Sequence, residues 1–239
     1  MPQPPSPDRP KRFYAVAAAG PVEAGWGVLL DGRAVRTPDK ARLTLPTEAL
    51  AAFVAEEWAA QGQSVDLATM PATRLAFSAQ DRVAGKRAET AAEVARFAGA
   101  DLLCYFAEAP QSLVARQLEA WGPLLDWAHE TLGLVFERAS GIIHRAQPPQ
   151  TVARVESLAL ALDDFALAGL AMAAGLFGSA VLALALQRGR LDGPAALRLS
   201  HLDEEFQEQL WGVDPEAAVR RGHLTAEAAM LDRWFRALR

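Results

Sequence analysis

Four carboxylates fall within the stretch LDEEFQEQLWG at 202–212: Asp203, Glu204, Glu205 and Glu208 stand beside Phe206, Gln207 and Trp211. Such a run could be an active site, a solvated helix face, or a surface that another protein reads. Catalytic carboxylates come from separate elements flanking a pocket. Neighbouring acids on one helix diverge by about 100° per residue, because a helix turns once in about 3.6 residues. Glu204 and Glu205 therefore do not converge on one substrate. A single helix over residues 194–210 gathers Leu199, Leu202, Phe206 and Leu210 into an inward apolar stripe. Glu204 and Glu208 then project outward and Glu205 lies on the flank. Asp203 sits near the apolar edge, where a carboxylate needs a partner. Trp211 points away from the stripe, and a large indole beside carboxylates suits a partner-binding anchor. The residues alone favour a solvated face with Trp211 packed at the Gly212 turn over an interface.

Other chemistry leaves little trace. His129, His144, His201 and His223 lack metal-ligand spacing, and His144, after an apolar pair, reads as structural. No Gly-x-Ser-x-Gly elbow is present. The GLFGSA run at 175–180 lacks the Lys-Ser/Thr of a phosphate cradle. Its glycines suit a turn or a close helix approach. The single cysteine, Cys104, excludes a disulfide within the chain and a Cys-rich zinc site. Its apolar surroundings, DLLCYF, predict a buried free thiol and a reducing compartment. These residues point to a protein that is not an enzyme and needs no cofactor or metal.

The elements that must hold the acidic stretch follow from hydrophobic period. Of 239 residues, 51% are hydrophobic, enough for one large domain or two small ones. A net charge of −5 argues against nucleic acid as the main partner. Residues 1–12 hold five prolines in their first ten positions, which predicts an extended tail. The tail lacks the apolar run of a secretory signal and the amphipathic helix of a transit peptide. A bacterial cytoplasmic protein, or a matured organellar one, is expected.

Residues 13–45 read as a small antiparallel meander. One strand is expected to stop at Gly20–Pro21, Asp31–Gly32 marks a hairpin, and ARLTLP alternates up to Pro46. Thr47 can cap a helix with Leu50, Val54 and Trp58 on one stripe. That placement predicts a core role for Trp58, between the two domains. Pro110, Pro149, Pro194 and Pro215 mark later helix starts. Short extended pieces are expected near 102–106 and 134–137. The 22 residues 165–186 carry no charge and are long enough to span a bilayer. Half of them are Ala or Gly, and the Gly-Leu-Phe-Gly-Ser break predicts two buried helices instead. The expected fold class is α+β: tail 1–12, a small antiparallel β-rich domain with one helix over 13–75, and a larger all-α domain over 76–239.

Eight segments in order carry a family resemblance: RFY at 12–14, LDGRAVRTP at 30–38 with LPT at 45–47, EW at 57–58, MPATRLA at 70–76, DLLCYFAEAP at 101–110, WGPLLDWA at 121–128, GSAVLALAL at 178–186 and DEEFQEQLWGVDPEA at 203–217. The chain resembles the F-type ATP synthase assembly chaperones that bind the free α subunit of the catalytic head. Phe106 and Ala72 depart from the family pattern, which commonly has Arg and Leu there. The resemblance implies a chaperone without catalysis or nucleotide hydrolysis, monomeric when free, with relatives in the mitochondrial matrix. It implies partner-binding roles for Glu204, Glu205, Phe206, Gln207 and Trp211, and structural roles for Trp58, Gly212 and Asp214. An enzyme with a pocket between two domains, or a membrane-associated factor, are the competing readings.

Overall fold

The structure is a computed structural model and describes residues 9–141, 143, 145–212 and 215–239. The chain forms two compact units, one of residues 1–85 with 237–239 and the other of residues 86–236. The fold is α+β: a small antiparallel sheet and its helices, then a larger helical unit.

In the first unit, strands β1 (Ala17–Val22), β2 (Gly25–Leu30) and β3 (Arg33–Ala34) form an antiparallel sheet in sequence order. The Asp31–Gly32 turn joins β2 to β3, with both residues at positive φ (47° and 81°). Asp31 supports it by accepting the amide protons of Ala15 and Val16. These bonds hold its carboxyl below the usual carboxylate range. The first strand does not stop at Gly20–Pro21 as expected. It continues to Val22, because Pro21 lies on an edge strand, where its missing donor breaks no ladder. ARLTLP returns across the sheet through the Trp26–Leu45 and Arg36–Arg42 bridges, burying Leu43 and Leu45.

Helix α1 (Glu48–Ala59) packs on β1 and β2, and Thr47 caps it by accepting from the Leu50 amide at 3.1 Å. Glu57 of α1 caps α2 (Pro71–Ser78). It accepts from Ala72 N, Thr73 N and the Thr73 hydroxyl at 2.7–2.8 Å. Burial raises its pKa even so. A π-turn at Ala79–Val83 follows and aims Gln80 at the 42–44 backbone.

The second unit comprises α3 (Arg87–Gly99), α4 (Gln111–Leu132), α5 (Pro149–Leu160), α6 (Asp164–Phe177), α7 (Ala180–Gln187), α8 (Gly193–Ser200), α9 (Leu202–Trp211) and α10 (Pro215–Ala237), of which residue 237 belongs to the first unit. Between them β4 (Tyr105–Phe106) and β5 (Ala139–Ser140) pair in parallel. Of the extended pieces expected near 102–106 and 134–137, only Tyr105–Phe106 of the first is a strand; Leu102–Cys104 is a 3-10 turn, and the partner strand lies at 139–140, just beyond the second. The uncharged 165–186 segment is two helices, α6 and α7, broken at left-handed Gly178 (φ 63°). Ser179 caps the second by accepting from Leu182 N at 3.0 Å. Among the described residues no helix is long and apolar enough to cross a membrane. Helix α6 packs against α3, α7 and α8. Gly169 of α6 meets the Trp234 indole, where a Cβ would lie 2.9 Å away.

Candidate functional site

The acidic stretch lies on α9, and this helix is separate from the one before it. The single helix expected over 194–210 breaks at His201 (φ −111°, ψ 23°). The His201 ring sits at the break: its Nδ1 lies 2.9 Å from the Ser200 hydroxyl and 3.2 Å from the Leu197 carbonyl, which also accepts the His201 amide at 3.1 Å. The break re-aims the stripe. Leu202 is buried and Phe206 half-buried, but Leu210 is exposed and does not join the core as expected.

Helix α4 supports α9 from one side. Trp121 Nε1 donates to the Leu199 carbonyl at the end of α8, just before α9, at 3.0 Å. Arg116 Nη1 donates to Gln209 Oε1 at 3.0 Å, and its Nη2 lies 3.5 Å from Glu205 Oε2. Gln117, fully buried, works at both ends: its oxygen accepts from Ala107 N at 2.8 Å, and its Nε2 donates to Asp203 Oδ1 at 2.7 Å. This is the partner that Asp203 required. Desolvation still raises the Asp203 pKa, with the Gln117 bond opposing it and the Glu204 charge adding to it. Helix α10 supports the other side, where Arg221 pairs with Glu208. The Glu208 hydrogen bond raises the pKa of Arg221.

The outward side chains are therefore few. Glu204 and Gln207 are exposed, Glu205 is half-buried, and Trp211 is 78% exposed. Glu204, Gln207, Trp211, Arg220 and Arg221 line a cavity of about 450 Å³. Gly212 ends α9 at φ 91°, a left-handed value that favours glycine, and its amide donates to the Glu208 carbonyl at 2.8 Å. Asp214 and His144 lie outside the described residues. Trp58 is buried within the first unit, its ring 6.0 Å from that of Tyr14, whose hydroxyl donates to the Trp58 carbonyl at 2.8 Å.

Cys104 is a buried free thiol, its pKa pushed well above normal by burial, so it is no nucleophile at neutral pH. Among the described residues no group of three His, Cys, Asp or Glu is placed to hold a metal. The structure brings Glu204, Gln207 and Trp211 to one surface and turns Glu205 and Glu208 inward to arginines. Arg116, Gln117 and Arg221 carry no local motif and were not foreseen. They lie some distance away in the chain, and only Asp203's need for a partner hinted at them.

The buried amide of Gln117 should be costly to remove. Gln117→Leu leaves Ala107 N and Asp203 without their partner, and we expect a loss of about 2–4 kcal/mol in urea unfolding. A loss below about 1 kcal/mol would mean that water replaces the amide.

Comparison with known proteins now gives the surface a setting. Residues 11–129 match the model of the ATP12 chaperone protein family. Atp12 of Paracoccus denitrificans has the same fold, with a TM-score of 0.90 and 41% identity over 96% of this chain and 99% of that one. An aspartate-to-lysine mutant of that protein matches equally, over 98% of its length. The Atu1473 protein of Agrobacterium tumefaciens is 39% identical over 96% of this chain and 87% of that one, with a TM-score of 0.90. Mitochondrial atp12 of Schizosaccharomyces pombe is 25% identical over 84% of this chain and 74% of its own length. The shared fold and sequence put this protein in the class of assembly chaperones. The chain belongs to the ATP12 chaperone family, which serves ATP synthase assembly.

Proposed function

We infer that this protein binds the free α subunit of the F-type ATP synthase head, shields the apolar surface that α otherwise buries against β, and releases it when β arrives. The observation that carries this reading is Trp211, 78% exposed beside Glu204 on a helix braced from two sides. An exposed indole on a rigid element is a low-entropy anchor for a partner's apolar surface. A rim carboxylate beside it steers encounter with basic groups without making dissociation slow. Glu204, Gln207 and Trp211 are the contacts we assign, with Phe206 supporting the helix from its half-buried place. Glu205 already faces Arg116, so its part is to hold α9 in position. Trp58, Gly212 and Asp214 are assigned structural roles. The chaperone acts as a monomer, in the cytoplasm of a bacterium, and catalyses nothing.

Co-expression with the α subunit alone, followed by pull-down and light scattering, tests this. Wild type should keep α soluble, and Glu204→Lys with Trp211→Ala should weaken retention at least about tenfold, as expected for an anchor with its neighbouring rim charge. If wild type fails to hold α, the client assignment is wrong. If the double variant holds α as well as wild type, α9 is a solvated face.

A further inference from the structure

Helix α9 faces a second cavity that the reading above does not use. It has a volume of about 870 Å³ and is lined by Leu102, Tyr105, Phe106, Glu108, Gly141 and Asp203 among others. Its walls come from β4, the chain that follows β4, and the turns at Gly141 and Gly178, all within the helical unit. Among the described residues lining it, the charged side chains are Glu108 and Asp203, and both are acids. Asp203 is adjacent in sequence to Glu204, yet the two line different cavities. One helix therefore presents carboxylates to two concave surfaces.

The second cavity is built with care on the acidic side. Gln117, fully buried, fixes one oxygen of Asp203 while holding the backbone of Ala107 beside it. Gly141, at φ 77°, leaves room for the other acid, since a Cβ there would lie 3.0 Å from Glu108 Oε1. A half-buried carboxylate that receives an amide N–H but, among the described residues, no cation is suited to a cation from outside. Leu102 and Phe106 supply apolar wall for an aliphatic stem, and Tyr105 supplies a ring for a planar charge. A guanidinium meets all three demands, because its fork can pair with carboxylates and its face can stack.

We propose that the cavity between Asp203 and Glu108 is a docking site for an arginine side chain projecting from the client ATP synthase subunit. The proposal rests on α9 as the client-binding element and adds a second, sequence-distinct contact to it. The client is then gripped from both flanks of α9, by an apolar anchor at Trp211 and by an arginine lock at Asp203.

The test has one arm that needs no client. The full-length protein, with 13C-labelled Asp and Glu carboxyls, is titrated with N-acetyl-arginine methylamide and with its norleucine counterpart. The Asp203 signal, identified by its loss in Asp203→Asn, should move saturably with the arginine compound alone. No movement, or equal movement with norleucine, overturns the site. The second arm measures retention of the α subunit. Asp203→Asn should weaken it by about tenfold, as for an interfacial charge pair, and unchanged retention overturns the client's use of the cavity. Should Asp203→Asn fail to fold, Glu108→Gln carries both arms, since Glu108 is exposed. If wild type holds no α, the client assignment fails by itself, and the arginine titration alone decides for or against the cavity.

Discussion

Gly193→Val is expected to unfold the helical unit under conditions in which the wild type is fully folded. Gly193 opens α8, just after Asp192, whose carboxylate accepts from Ala195 N at 2.7 Å. A Cβ at this residue would lie 1.9 Å from the Ala228 carbonyl oxygen and 2.5 Å from its carbon. Both are backbone atoms of α10, so no side-chain rotation relieves the clash. To make room, α10 must shift as a body, and its buried Leu231, Trp234 and Phe235 shift with it. Interiors are packed at crystal-like density and resist such movement. We expect a cost of at least about 3 kcal/mol, the upper end of the overpacking range, read as the midpoint of urea unfolding. Gly175→Ala is the matched control. Gly175 is exposed in the interior of α6, and the nearest atom to a new Cβ is 4.0 Å away. That change should stabilise by about 0.5–1 kcal/mol through helix propensity. Equal effects at the two glycines would mean that α8 and α10 do not approach each other as closely as described.

The glycine contrast also shows which parts of the architecture are legible in the sequence. Period and capping carried the local elements: Thr47, Pro110, Pro149, Pro194 and Pro215 each stand where a helix begins. Those signals act within four residues and compete with nothing distant. The break in the uncharged 165–186 segment was legible for the same reason, since Gly178 must adopt a left-handed turn. The break at His201 was not. Nothing in apolar spacing distinguishes one helix over 194–210 from two, and the difference lies in the backbone angles of one residue, His201. Leu210 was misplaced as a consequence, because re-aiming α9 moves the last turn of the stripe into solvent. The inner partners of the acidic stretch were illegible for a different reason. Gln117 and Asp203 lie far apart in the chain, and their bond depends on how α4 and α9 pack. The sequence left Trp211 either outward or packed at the Gly212 turn, and the structure places it outward.

Asp101 should give a large pH-dependent effect on stability in the acid range. It is fully buried and holds two segments of the DLLCYF and GSAVLALAL motifs together. One oxygen accepts from Leu103 N at 3.1 Å, opening the short turn at Leu102–Cys104. The other accepts from Val181 N at 3.0 Å at the start of α7, and the Ser179 hydroxyl and Ala180 amide also bond to the carboxylate. Burial pushes its pKa up to about 6 from 3.8, against the opposing pull of these four donors. Asp101→Leu removes the acceptor and leaves buried donors at the α7 N-terminus, for an expected loss of about 3–5 kcal/mol. Asp101→Asn isolates the charge. In wild type the folded state binds the Asp101 proton more tightly than the unfolded chain does. The resulting stability is fully present below the unfolded pKa of 3.8 and is lost as pH rises through about 6. Measured by urea unfolding against Asp101→Asn, which cannot titrate, wild type should therefore lose about 2 kcal/mol between pH 4 and pH 7, most of the shift at 1.36 kcal/mol per pKa unit. Groups elsewhere titrate alike in both proteins and cancel in the difference. A wild-type-minus-variant difference that is flat across this range would mean that Asp101 keeps an ordinary pKa and that its four donors outweigh its burial. A difference that grows as described would place a protonation-linked clamp at the start of α7. The helical unit would then hold the Leu102–Cys104 turn against the start of α7 most firmly in mild acid.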